Sequence, residues 1–243
     1  MQQRAMTYWR KAATLLLAVH HDASLKPSVE HSNSDNPQKP VNCENYKLLM
    51  LKRNESSSFF PSSFVFPGGA LSLVDDSCDW KPLFERVTGE RVEDIAKHFH
   101  VETGLRPPII SESVGDRSDG VSADIAFRIC AIRETFEECG VLLVTDRKSS
   151  ASYRIDVDLE VWQRRVSQNA SEFLTMCQQL SVVPNIWLLY EWANWMTPVL
   201  NRVEGPSARP KRFDTLFYMC ILHDSVLPKV TLDNEEIVDY VVC

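Results

Sequence analysis

"RETFEECG", residues 133–140, puts three glutamates on one side of what reads as a helix. At about 100° per residue, Glu134, Glu137 and Glu138 fall within an arc of roughly 100°. Like charges so placed destabilise a helix by about a few tenths of a kcal/mol per pair. No lysine follows four residues after any of them, and Arg133, four residues before Glu137, is the one nearby cation. Two readings remain open at this point: a solvated polar face, or a face whose repulsion is offset by something bound.

Upstream, the apolar positions Ile125, Ile129, Ile132 and Phe136 recur at three- and four-residue steps, which predicts an amphipathic helix from Ser122 to a stop at Gly140 with that stripe buried. "GVLLVT" then reads as a strand. Before the helix, "DWKPLFERV" and "RVEDIAKHF" read as short helices and "SESVGDRSDGVS" as a flexible exit. "YKLLMLKR" (46–53) and Phe64–Phe66 read as strands leading into a tight turn at Pro67, Gly68 and Gly69. "AATLLLAV", within a first strand over 11–19, is favoured over a weak targeting peptide because no small-residue cleavage site follows. Residues 20–45 are polar and proline-bearing, hence loop. Downstream, 156–180 reads as one amphipathic helix with Leu159, Trp162, Val166, Phe173 and Leu174 inward, in a helical segment extending to about 196. "RFDTLFYMCILH" (212–223) reads as a strand, and "LDNEEIVDYVVC" as a short acidic element feeding a final strand. Strands alternating with helices define a mixed α/β domain, a single one over 8–243.

The chain has 243 residues, 44% hydrophobic and 24% charged, enough for one substantial core. A net charge of −7 without a basic stripe gives no reason to expect nucleic acid, and no apolar run is long enough to cross a bilayer. Seven scattered cysteines without a C-x-x-C pair suggest neither a zinc site nor a disulfide framework. His98 and His100 would point to different faces of a helix and read as bland. An oxygen-only cluster such as Glu134, Glu137 and Glu138 suits a hard divalent cation, Mg²⁺ or Mn²⁺.

"FPGGALSLVDD" with "RICAIRETFEECGVLL" resembles the Nudix hydrolase box, G-x5-E-x7-R-E-U-x-E-E-x-G-U, with U a bulky aliphatic. Gly69 matches its first glycine, and Arg133, Glu134, Glu137, Glu138, Gly140 and Val141 match its second half. Asp75 stands in place of the first Glu and Thr135 at the first U. About 50 residues beyond the usual spacer separate the halves, an insertion over about 76–121. A box split in this way is similar to the nucleoside diphosphate-linked moiety X motif 19 branch of acyl-CoA diphosphatases. "WRKAATLLLA", "LLMLKR" and "MTPV" before "RFDTLFY" extend the likeness over nearly the whole chain.

The resemblance implies an α/β/α Nudix sandwich with a helical insertion in the box. It implies Mg²⁺- or Mn²⁺-dependent hydrolysis of the diphosphate of CoA and acyl-CoA esters to 3′,5′-ADP and (acyl-)phosphopantetheine. Glu137 and Glu138 would be metal ligands, Glu134 a ligand or the water-activating base, and Arg133 would orient a glutamate. Gly68 and Gly69 would shape the loop so that a backbone carbonyl also reaches the metal. Glu235 or Glu236 matches a late acidic position near the metals; a solvated loop is the alternative. Arg53 fits the start of an upstream CoA-directed motif whose later arginine and glycine are not evident, and Arg53, Lys52 or the insertion would meet a 3′-phosphate. Phe59, Phe60 and Phe64 would line a substrate pocket or belong to the core. Hydrolysis of NADH or ADP-ribose, or binding without turnover, are the alternatives. The branch continues well past "YVVC", so a covering helix after the last strand is expected to be missing here. The branch also implies a peroxisome, although "VVC" is not an S-K-L address; mitochondrion or cytoplasm are the alternatives.

Overall fold

The computed structural model describes residues 9–20, 46–57, 60–99, 106–111, 119–146, 157–197, 212–222, 229–232 and 236–242. Its centre is β1 (Arg10–His20), the strand read from "AATLLLAV". Ala13, Leu15 and Leu17 on one face are fully buried, and Ala12 and Ala18 on the other nearly so. A strand apolar on both faces belongs inside a sheet, and β1 has neighbours on both edges. It runs parallel to β8 (Phe213–Leu222) along almost its whole length, from Arg10↔Phe213 to Val19↔Leu222. Its other edge is shared: the first half pairs antiparallel with β4 (Gly68–Ala70), the last residues with β2 (Tyr46–Arg53). β2 also carries β3 (Phe64–Val65) and β9 (Ile237–Val242), and β7 (Tyr190–Met196) lies antiparallel beyond β8.

The helix α4 (Ala123–Cys139) covers β1, β4 and β8, starting after Ser122 and ending at Gly140 as its sequence predicts. Gly140 takes a left-handed φ of 71° and its N–H donates to the Phe136 carbonyl, a turn that glycine adopts without a Cβ penalty. The stripe Ile125, Ile129, Ile132 and Phe136 is completely buried. Most of the remaining helix is buried too, because α3 (Pro108–Ser111) and α5 (Leu159–Gln168) pack on the side away from the sheet.

The insertion is built into the core. Its helices α1 (Trp80–Thr88) and α2 (Val92–Lys97) bury Trp80, Leu83, Phe84, Val92 and Ile95. Trp80 lies 6.3 Å from Phe84 and 6.1 Å from Phe173, which in turn meets Phe136 of α4 at 6.2 Å. Each such side chain contributes on the order of 1.5–3 kcal/mol through burial. The two ends of the insertion meet: Val121 N–H donates to the Asp76 carbonyl at 3.1 Å. Gly120 lies so close that a Cβ there would stand 2.3 Å from the Asp76 oxygen. The excursion closes on itself at its neck, and the two halves of the box are joined as if it were absent.

Three expectations need correction. The single helix over 156–180 is two, α5 and α6 (Ser171–Leu180). Asn169 breaks it in an extended conformation (φ −152°, ψ 105°), its side-chain oxygen accepting from Ser171 N–H, the local competition with the backbone that asparagine favours. The helical segment does not reach 196: after a 3₁₀ turn at Ile186–Leu188, Tyr190–Met196 is the strand β7. In "GVLLVT" only β5 (Val144–Thr145) forms a ladder, with β6 (Val183–Pro184). The loop over 21–45, most of "SESVGDRSDGVS", Phe59, His100 and Glu235 lie outside the described residues. Among the described residues no helix is long and apolar enough to cross a membrane.

Candidate active site

β4 brings the glycines to the helix. Ala13 pairs with Gly69 and Thr14 with Gly68, and Leu15 N–H donates to the Pro67 carbonyl. A Cβ on Gly68 would stand 2.5 Å from the Ala13 oxygen, and one on Gly69 would meet the Glu134 carboxylate at 2.5 Å. Only residues without side chains let β4 lie this close to β1 and to α4. Gly68 N–H donates to Glu138 Oε2 at 2.9 Å, fixing that carboxylate against the turn.

Arg133 organises the rest. It is 2% exposed, and its Nε and Nη2 donate to the two oxygens of the fully buried Asp75 at 2.8 and 2.9 Å. Its Nη1 reaches Glu137 at 2.6 Å and its Nη2 reaches Glu134 at 2.9 Å. One guanidinium is thus surrounded by three carboxylates, with Glu138 nearby on the next turn. These glutamates are not a solvated face: the side chains of Glu134 and Glu137 are 14% and 16% exposed and Glu138 is buried. The cost is visible in their acidities. Burial pushes Glu134 above the ordinary carboxylate range, Arg133 opposing and Asp75 adding to the rise. Burial pushes Glu137 up to about 7, against Arg133 and with Glu134. Arg133 itself, which burial alone would weaken, is held well above its usual value by Asp75 and Glu134.

The donor set fits a hard divalent cation. Carboxylate oxygens are the ligands Mg²⁺ and Mn²⁺ prefer, and the negative charge exceeds what one arginine compensates. Among the described residues no three acidic, histidine or cysteine side chains already stand as a converged ligand set; Glu137 is turned to Arg133 and Glu138 to Gly68. Glu134, Glu137 and Glu138 are the residues that could hold such an ion, with the Gly69 backbone alongside.

Glu134 and Glu138, with Gly68 and Gly69, open on a cavity of about 900 Å³. Of the residues expected from sequence, Arg53, Phe60, Phe64 and Glu236 also line it. Glu236, immediately before β9, forms an ion pair with Arg53, whose Nε also donates to Ser57 at 3.3 Å. Glu137 is not on the cavity wall; it stands behind, on Arg133. Sequence reasoning did not find the other side of the cavity, formed by Arg10, Phe213, Phe217 and Trp195. Their one signal is alternation, every second residue of β1 and β8, and β7 must first be known as a strand before Trp195 joins them. Asp75, noted only as a departure from pattern, proves to be the carboxylate that clamps Arg133.

A glycine strand laid against an arginine–glutamate helix, on a mixed sheet with β1 and β8 parallel at its centre, is the architecture of the Nudix fold. A solved Nudix hydrolase from Alicyclobacillus acidocaldarius is similar to it with a TM-score of 0.57 over 98% of this chain and 80% of that one, at 23% identity. The family is narrower: residues 9–242 match the NUDT19 Nudix domain, and the chain belongs to that family. Among curated proteins it is 34% identical over 248 residues to acyl-coenzyme A diphosphatase NUDT19 of Xenopus laevis, covering 97% of this chain and 62% of the relative. It is 35% identical to the Gallus gallus protein of the same name (96% and 60%) and 33% identical to the Homo sapiens one (96% and 60%). The chain therefore spans about three fifths of the length of these relatives.

Proposed function

We propose that this chain hydrolyses the diphosphate bond of CoA and acyl-CoA esters, with Mg²⁺ or Mn²⁺, giving 3′,5′-ADP and (acyl-)phosphopantetheine. The observation that carries the reading is the buried set Asp75, Arg133, Glu134, Glu137 and Glu138, of which Glu134 and Glu138 open on a cavity large enough for a nucleotide-linked substrate. The relatives' name supplies the substrate class. A divalent cation held by Glu134, Glu137 and Glu138 would supply charge neutralisation at the diphosphate oxygens.

The protein's own groups divide the remaining work. Water attacks phosphorus, the bridging P–O bond breaks, and two phosphate monoesters leave. Glu134 faces the cavity and, where it does not hold the cation, is placed to accept the proton of the attacking water. Glu138 is held at the cavity by Gly68 N–H. Arg133 keeps Glu134 and Glu137 in place while Asp75 keeps Arg133 in place. Phe60 and Phe64, from the β2–β3 side, offer apolar wall to the substrate.

The test incubates the purified chain with Mg²⁺ and a medium-chain acyl-CoA, beside NADH and ADP-ribose, with Glu138→Gln as control. Formation of 3′,5′-ADP and acyl-phosphopantetheine by the native chain alone is the expected result. Turnover of NADH or ADP-ribose only would retain a diphosphatase and remove CoA as substrate. A folded chain with no turnover of any of them would leave a binding protein.

A further inference from the structure

Two cations line the cavity among the described residues, Arg10 and Arg53. Arg53 is compensated, since its guanidinium pairs with Glu236. Arg10, the first residue of β1, is exposed and has no carboxylate partner among the described residues; its guanidinium lies 5.6 Å from the centre of the Phe213 ring, its register partner on β8. Side chains at Arg10, Ala12 and Thr14 share one face of β1, and Thr14 is paired with Gly68. At about 3.3 Å per residue, Arg10 sits about 13 Å along the strand from the turn that holds Glu138, a distance an arginine side chain partly spans. Between them the floor is small, Ala12 and Thr215, and its far wall is aromatic, with Trp195 against Phe217 at 4.9 Å between ring centres.

We infer that Arg10, Phe213 and Trp195 form the subsite for the nucleotide end of the substrate, the Arg10 guanidinium taking the 3′-phosphate and the aromatic rings the adenine. This rests on the proposed CoA chemistry for its substrate and adds a direction to it. Arg10, without a carboxylate partner among the described residues, and the stacking surface lie on the β8–β7 side, so the acyl-phosphopantetheine arm runs to the β2–β3 side, over Met50, Phe60 and Phe64. An arginine's planar fork is suited to a phosphate dianion, and flat rings accept a purine face.

Two measurements test it. Calorimetric binding of 3′,5′-ADP and of 5′-AMP compares ligands that differ only in the 3′-phosphate. The native chain should prefer 3′,5′-ADP by roughly tenfold to a hundredfold, Arg10→Gln should lose that preference while still binding 5′-AMP as the native chain does, and Arg10→Lys should restore part of it. Trp195→Ala should weaken both ligands. In turnover, Arg10→Gln should lower kcat/KM for acyl-CoA far more than kcat/KM for acyl-dephospho-CoA. Equal binding of the two nucleotides by the native chain, or a preference that survives in Arg10→Gln, overturns the inference. An Arg10-dependent preference for 3′,5′-ADP in a chain that cleaves no CoA ester upholds the subsite and removes the proposed reaction instead.

Discussion

Asp75 and Arg133, 58 positions apart, face each other through two hydrogen bonds of 2.8 and 2.9 Å in a site closed to solvent. The pair exists because the insertion between them returns to its starting point at Asp76 and Val121. Breaking a buried pair from one side leaves an uncompensated charge and costs about 3–5 kcal/mol. Asp75→Asn keeps the shape and removes the charge, so urea unfolding should show a loss toward the lower end of that range. Activity should fall with it, because Arg133 is then free to be drawn toward Glu134 and Glu137.

Glu134→Gln should separate stability from activity. The native carboxylate is buried among like charges and its acidity is weakened, so the neutral amide should leave the metal-free chain as stable or more stable by thermal melt. Turnover should drop by about a hundredfold or more. A melting point that falls steeply would show that Glu134 is needed for folding instead.

The stability of the metal-free chain should depend on pH in an unusual sense for a carboxylate. Glu137 is raised from 4.5 to about 7, so between those values the native state holds a proton that the unfolded chain has lost. Stability is then full below about 4.5 for this group and declines as pH rises toward 7 and beyond. Added Mg²⁺ should raise the melting temperature more at pH 7.5 than at pH 5.5, since the ion stabilises the deprotonated form.

Gly69→Ala places a methyl group 2.5 Å from the Glu134 carboxylate. The carboxylate, on a side chain with rotatable bonds, can give way where the backbone cannot. The expected outcome is a modest loss of stability, about 1–3 kcal/mol, with a larger loss of kcat than of substrate affinity.

Gly120→Ala acts at the neck of the insertion, where a Cβ would approach the Asp76 oxygen to 2.3 Å. The oxygen it would meet is backbone, so the neck itself must open. Hydrogen exchange at the Val121 amide should speed up, and the change should propagate to Asp75 one residue from the neck, lowering activity although Gly120 touches no part of the cavity.

What the sequence alone determined is local. The period of Ile125, Ile129, Ile132 and Phe136 dictated α4 and the side it buries, Gly140 dictated its end, and the spacing of Arg133 and Glu137 dictated their i,i+4 contact, because helical geometry relates residues a few positions apart. The apolar run of β1 likewise declared a strand inside the sheet. The aromatic run Tyr190–Met196 did not declare itself, since its place beside β8 depends on a partner outside the segment. Tertiary structure decided the long-range relations: Asp75 on Arg133, Glu236 on Arg53, Gly69 against Glu134, and Arg10 in the same cavity as Trp195. Each depends on strand pairing and on the closure of the insertion. No residue's own chemistry encodes which distant strand will lie beside it.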